Sequence, residues 1–194
     1  MHSGPSQVVV LGASLGGLSA IPVILGALPK NFRNPVVIVQ HRAILSDDAG
    51  LVEALQRGCS LLVREVEDKD RLTSGRVYLA PADYHLLLEG DHLTLSTEAR
   101  VLHARPSIDV FFESAAESHG SGVIAVILTG ASRDGVVGAQ KIKERGGVVI
   151  VQDPAGAECR VMPSAVIADV AVDRVLPLDQ IAPYLVRCSL AALR

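Results

Sequence analysis

A serine, a histidine and an aspartate, the side-chain types that together perform nucleophilic acyl transfer, each follow a short apolar run in this chain. Ser14 lies in "GASLG" (Gly12–Gly16). That is the G-x-S-x-G spacing of a nucleophile elbow, where small flanking residues permit a sharp turn from strand into helix. A helix N-terminus behind such a turn offers unpaired N–H groups and the positive end of a dipole, both suited to a developing oxyanion. A serine there can equally be a helix cap. His41 directly follows the apolar run "PVVIVQ" (Pro35–Gln40). Two carboxylates end later runs: Asp134 in "LTGASRDGVVG", and Asp153 just before Pro154. Either could hold the His41 tautomer and stabilise its imidazolium. Either could also serve a cap or an Asx turn, so the residues alone leave the choice open.

Other chemistries fit less well. A dinucleotide fingerprint needs G-x-G-x-x-G, but Gly12, Ser14 and Gly17 occupy those positions, so the middle glycine is missing. The second strand ends in Gln40-His41 rather than in an acid for a ribose. No His/Cys/Asp/Glu cluster has metal-ligand spacing, and Cys59, Cys159 and Cys188 form no CxxC. The remaining histidines, His2, His85, His92, His103 and His119, fall at the terminus, in β-like runs, in a connection or near a helix end. A net charge of -3 without a basic cluster argues against nucleic acid, and an aromatic share of 3% against base stacking. No basic n-region with an apolar h-region opens the chain, and no apolar run approaches the roughly 18 residues of a membrane span. A reducing cytoplasm is the expected setting, with no membrane insertion.

The elements that must position these residues alternate. "QVVVLG" (Gln7–Gly12) predicts a strand and Gly17–Leu28 a helix stopped by Pro29. "PVVIVQ" predicts a second strand, followed by a helix over Ser46–Arg57 capped by Ser46. Short β-like runs between Leu61 and Thr97 predict an antiparallel hairpin excursion over residues 61–97. A helix capped by Ser107 starts at Ile108 and stops near Gly120. "GVIAVILTG" (Gly122–Gly130) and Val148–Gln152 read as strands. Val136–Arg145, closed by Gly146 and Gly147, and also Pro163–Ala168 and Leu178–Leu193 read as helices. Val/Ile runs without polar alternation, separated by helices, predict an α/β fold: a doubly wound, mostly parallel sheet flanked by helices. At 194 residues with 49% hydrophobic content, residues 1–194 are expected to form one domain. Ligands in such sheets bind beyond the carboxyl ends of the strands, where Ser14, His41, Asp134 and Asp153 all fall.

Five blocks in this order, "GASLGG", "VQH", "RPSIDVFFESAA", "VILTGASRDGVVG" and "VVIVQDPAGAECRVMPSAVI", resemble the catalytic domain of the chemotaxis protein-glutamate methylesterases (CheB-type). They span nearly the whole chain. The resemblance implies a doubly wound sheet with an added β hairpin and a Ser-His-Asp triad. By motif, Ser14 becomes the nucleophile, His41 the general base and Asp134 the orienting acid, which leaves Asp153 to a structural turn. Oxyanion donors are implied at the backbone N–H groups of Leu15 and Ala131. The implied reaction hydrolyses glutamate γ-methyl esters on chemoreceptor cytoplasmic helices, with glutamine deamidation in some members, and needs no cofactor or metal. The family loop usually reads LTGMG-x-DG; Ala131 and Ser132 replace its Met and Gly here. Leu15 and the stretch "RAILSDDAG" after His41 also depart from the family pattern. The family's N-terminal receiver domain has no counterpart in these residues, so the expectation is either a stand-alone family member, with a separate regulatory protein acting in trans, or one part of a longer protein. Two alternatives go with these departures: a triad hydrolase for another ester or amide, and a binding module whose triad has degenerated.

Overall fold

Val8–Ala13, an apolar run with a single glycine and no polar alternation, forms β1 and is buried along its whole length, as a strand covered on both faces must be. The structure of the chain, a computed structural model, describes residues 6–42 and 48–191. β1 pairs with β2 (Val36–Gln40) on one side and with β8 (Val123–Ile127) on the other, both parallel. With β3 (Leu62–Glu65), β5 (Arg76–Leu79), β9 (Val148–Gln152) and β10 (Arg174–Leu176), they make a seven-stranded sheet of order β10-β9-β8-β1-β2-β5-β3. Every adjacent pair in it is parallel.

Alternate residues of β1 feed two separate cores. Val8 and Val10 pack with Phe111, Phe112, Ala139 and Met162 of α3 (Ile108–His119), α4 (Val136–Glu144) and α5 (Val161–Asp169). Val9 and Leu11 pack with Ile21, Leu25, Leu55 and Ile181 of α1 (Gly17–Ala27), α2 (Asp48–Gly58) and α6 (Leu178–Ala191). The period of two along a central strand thus winds helices onto both faces.

The excursion over residues 61–97 is antiparallel only in part. β4 (Asp70–Arg71), β6 (His85–Glu89) and β7 (His92–Ser96) form a small antiparallel sheet of order β4-β7-β6. β3 and β5 instead join the main sheet, where Val77, Tyr78 and Leu79 are buried. Four-residue strands carry no local signature of direction, and the segment between these two, which holds β4, returns the chain so that they pair in parallel. β10 has no counterpart among the predicted elements. Helix limits shift by one or two residues, and α5 starts at Val161, with Pro163 inside its first turn, where no donor is needed. Ser46, the expected cap of α2, lies outside the described residues. Among the described residues no helix is long and apolar enough to cross a membrane.

Candidate active site

The site forms where β8, β1 and β2 end side by side. Register pairs Gly12 with Ile127 and Ala13 with Gln40. The ladder runs one step past the strands: the His41 N–H donates to Ala13 O at 3.0 Å, and the Ser14 N–H to Thr129 O at 3.0 Å. Backbone pairing therefore fixes the first residue beyond β1 next to the first beyond β2. His41 Nδ1 lies 3.2 Å from Ser14 Oγ, and His41 Nε2 lies 2.7 Å from Asp134 Oδ2. Of the four strand-end residues expected at this edge, Ser14, His41 and Asp134 meet. Asp153 instead caps the 3₁₀ turn Pro154–Gly156 by accepting from the Ala155 N–H.

Asp134 has no exposed surface, and the start of α3 solvates it. Its Oδ1 accepts from the Ser107 hydroxyl at 2.8 Å and the Asp109 N–H at 2.9 Å, and its Oδ2 from the Ile108 N–H at 2.7 Å. First-turn N–H groups have no partners within their own helix, and the helix dipole favours an anion there. Burial works to raise the Asp134 pKa. Hydrogen bonds from His41 and from the Asp109 and Ile108 N–H groups, together with the electrostatic attraction between the carboxylate and the His41 ring, outweigh it and hold the carboxyl below its ordinary value. An ionised carboxylate only accepts, so the imidazole hydrogen sits on Nε2. The Nδ1 lone pair is thereby left for the Ser14 hydroxyl, the reverse of the commoner arrangement in which Nε2 faces the serine.

Two glycines shape the turn that presents Ser14. Gly16, the residue that caps α1, has φ +83°, the left-handed region that L side chains avoid. A Cβ on Gly17 would fall 1.9 Å from Gln40 Oε1. Gln40 uses that space to donate from Nε2 to Ser14 O at 2.8 Å and His41 O at 3.0 Å. Ser14 does not cap the helix; its hydroxyl turns to His41 instead. Leu15 follows it, 56% exposed. Among the described residues, the Leu15 and Ala131 N–H groups donate to no protein acceptor.

Supporting residues emerge that sequence reasoning passed over. Thr129 Oγ1 donates to Leu15 O at 2.8 Å and accepts from the Cys159 N–H at 2.8 Å, which ties the Ser14 turn to the segment before α5. His85, 1% exposed, accepts at Nδ1 from the Ser107 N–H and donates from Nε2 to Ala99 O. Asp109 accepts from the Gly138 N–H at 2.7 Å. Burial, with Asp134 close by, pushes its pKa up to about 6 against the Gly138 hydrogen bond. Only the Ser107 cap had a local signal, a serine before a helical run. His85, Thr129 and Gln40 act across tens of residues of chain. Among the described residues, no group of three or more His, Cys, Asp or Glu could hold a metal ion.

Comparison with known proteins bears on this geometry. The family model described as CheB methylesterase matches residues 9–185. A Leptospira interrogans protein, provisionally named protein-glutamate methylesterase/protein-glutamine glutaminase, is 45% identical over 93% of this chain and 94% of its own length. The Trichodesmium erythraeum protein-glutamate methylesterase/protein-glutamine glutaminase is 36% identical over 93% of this chain, which spans 52% of that protein. The crystal structure of the Thermotoga maritima CheB methylesterase catalytic domain superposes with a TM-score of 0.90 at 37% identity, over 96% of this chain and 99% of that one. With the match running through both sequence and fold, the chain belongs to the CheB methylesterase family.

Proposed function

We propose that this protein is a cytoplasmic serine esterase that hydrolyses glutamate γ-methyl esters on chemoreceptor signalling helices and releases methanol. The observation that carries it is the unbroken hydrogen-bond line from Ser14 Oγ through His41 to Asp134. In this mechanism the Ser14 oxygen bonds to the ester carbonyl carbon as its proton passes to His41 Nδ1. Asp134 steadies the imidazolium through Nε2–H. The carbonyl oxygen takes up the negative charge facing the Leu15 and Ala131 N–H groups, and one such donor is worth about 100- to 1000-fold in rate. Collapse breaks the bond to methoxide, which takes the proton from His41. A water then enters and bonds to the acyl carbon as His41 accepts its proton, and collapse breaks the bond to Ser14 Oγ, which takes the proton back from His41 and leaves the free γ-carboxyl group. An amide leaving group follows the same path, so glutamine side chains are a second substrate class, as the names of the relatives suggest. The unit doing this is residues 1–194 as one catalytic domain.

The test is methanol release from methylated receptor, wild type against Ser14→Ala. Wild type is expected to release methanol and the variant none; equal release by the two would sink the proposal. A different ester or amide substrate is favoured by the Ala131-Ser132 loop and by exposed Leu15. Fluorophosphonate labelling of Ser14 without receptor demethylation would select that alternative.

A further inference from the structure

A cavity of about 250 Å³ opens beside His41, with Arg42, Arg100, Arg105 and the Leu102–His103 turn in its lining. Its wall holds three guanidiniums against the two carboxylates that pair with them, Glu65 and Asp83. Two of the arginines are committed to the fold. Arg42, 3% exposed, donates to Glu65 and to Ala80 O. Arg105 binds Asp83 and donates to Thr97 O and Glu98 O. Arg100 differs. Its side chain is 41% exposed, and its single hydrogen bond goes to the same Asp83 Oδ1 that Arg105 already holds. A structural role therefore accounts for Arg42 and Arg105 but leaves most of the Arg100 fork facing the opening.

The backbone at the cavity mouth is strained. Val101 and Ala104 exchange both of their hydrogen bonds, at 3.1 and 2.8 Å, around a two-residue turn. Its central residues, Leu102 and His103, have φ +47° and +66°. Such turns favour Asn-Gly, yet here they hold an exposed leucine and a histidine over the cavity. Side chains kept in that region against their preference concentrate at ligand sites.

We propose that this cavity is a carboxylate subsite, in which Arg100 binds an acidic side chain next to the ester in a protein substrate. The subsite rests on the glutamyl esterase function proposed above, and it sets which glutamyl ester in a helix is presented to Ser14. Arginine is suited to it because its planar fork pairs both oxygens of a carboxylate.

The test uses two synthetic peptides carrying one glutamate γ-methyl ester, flanked by Glu in one and Gln in the other. The wild type is expected to prefer the acidic peptide by about 5-fold in kcat/KM, the scale of one partly exposed charge pair. In Arg100→Gln the ratio of the two values should fall to about 1, and in Arg100→Lys part of it should return. Raised ionic strength should shrink the wild-type ratio. A wild-type ratio of 1, or one unchanged in Arg100→Gln, overturns the subsite. If neither ester turns over, the glutamyl esterase function fails on its own. The same ratio, read as binding of the fluorescein-labelled peptides to the wild type and Arg100→Gln, then decides the subsite. Binding of glutarate at millimolar concentration without any peptide preference would assign the cavity to a free carboxylate and overturn the proposal.

Discussion

Asp134 accepts four hydrogen bonds, from His41, the Ser107 hydroxyl and the Ile108 and Asp109 N–H groups, and has no exposed surface. A group so fully specified tolerates little change. In Asp134→Asn, the retained carbonyl oxygen can still serve Ser107 and Asp109. The new amide then faces His41 Nε2 and the Ile108 N–H as a donor. His41 must move its hydrogen to Nδ1, pointing it at the Ser14 oxygen and removing the base. We expect kcat on a glutamyl methyl ester to fall by about 10⁴-fold, with circular dichroism still reporting a folded protein. A loss below tenfold would show that Asp134 does not set the tautomer. Ser14 and His41 were legible in the sequence because each directly follows an apolar strand. The choice between Asp134 and Asp153 was not legible from the residues alone. Both follow Val/Ile runs, and what separates them is strand order: β8 lies beside β1, and β9 lies one strand further out. Order in a parallel sheet leaves no mark on local periodicity.

The turn from β1 into α1 works as a unit with the end of β2. Gly17→Ala places a methyl 1.9 Å from Gln40 Oε1 and 2.8 Å from Ala13 Cβ. Gln40 would have to leave the carbonyls of Ser14 and His41. The expected cost is about 1–3 kcal/mol from overpacking, read as a lower urea midpoint, with a fall in esterase activity alongside it. Gly58, the last residue of α2, meets nothing within 4 Å of an added Cβ. Gly58→Ala should therefore be neutral or gain up to about 1 kcal/mol. Equal midpoints for the two variants would refute the crowding at Gly17. The glycines of this turn were legible as a spacing, but their crowding was not, because it comes largely from distant residues, Gln40 beside Gly17 and Glu158 and Thr129 beside Gly16. The stretch from Leu61 to Leu79 shows a related limit. Its strand character was evident in the apolar runs, while its membership of the main sheet depends on a partner, β2, that periodicity does not name.

At the scale of the whole molecule, the junction of the sheet with the start of α3 buries two carboxyls whose linkages to pH have opposite signs. Asp134 is held below its ordinary value, and Asp109 is raised to about 6. Both have unfolded values near 3.9. The folded state keeps Asp134 ionised where the unfolded chain protonates it. The contribution of Asp134 is thus complete above about pH 3.9 and is lost as pH falls towards its folded pKa. Asp109 behaves the other way. Between about pH 3.9 and 6 the folded state holds a proton that the unfolded chain releases, so its contribution declines as pH rises through that window and is level above it. In differences from the wild type the titrations of distant groups cancel, and what remains is the removed carboxyl together with its effect on its neighbour, since Asp134 helps to raise Asp109. The stability of wild type minus that of Asp134→Asn should fall as pH drops below about 4. Wild type minus Asp109→Asn should fall between about pH 4 and 6, while the asparagine oxygen can still accept from the Gly138 N–H. Urea unfolding from pH 3 to 8 measures both differences. Two curves that change in the same direction with pH would mean that the carboxyls are not shifted in opposite directions, and the separate roles assigned here to Asp134 and Asp109 would fall together.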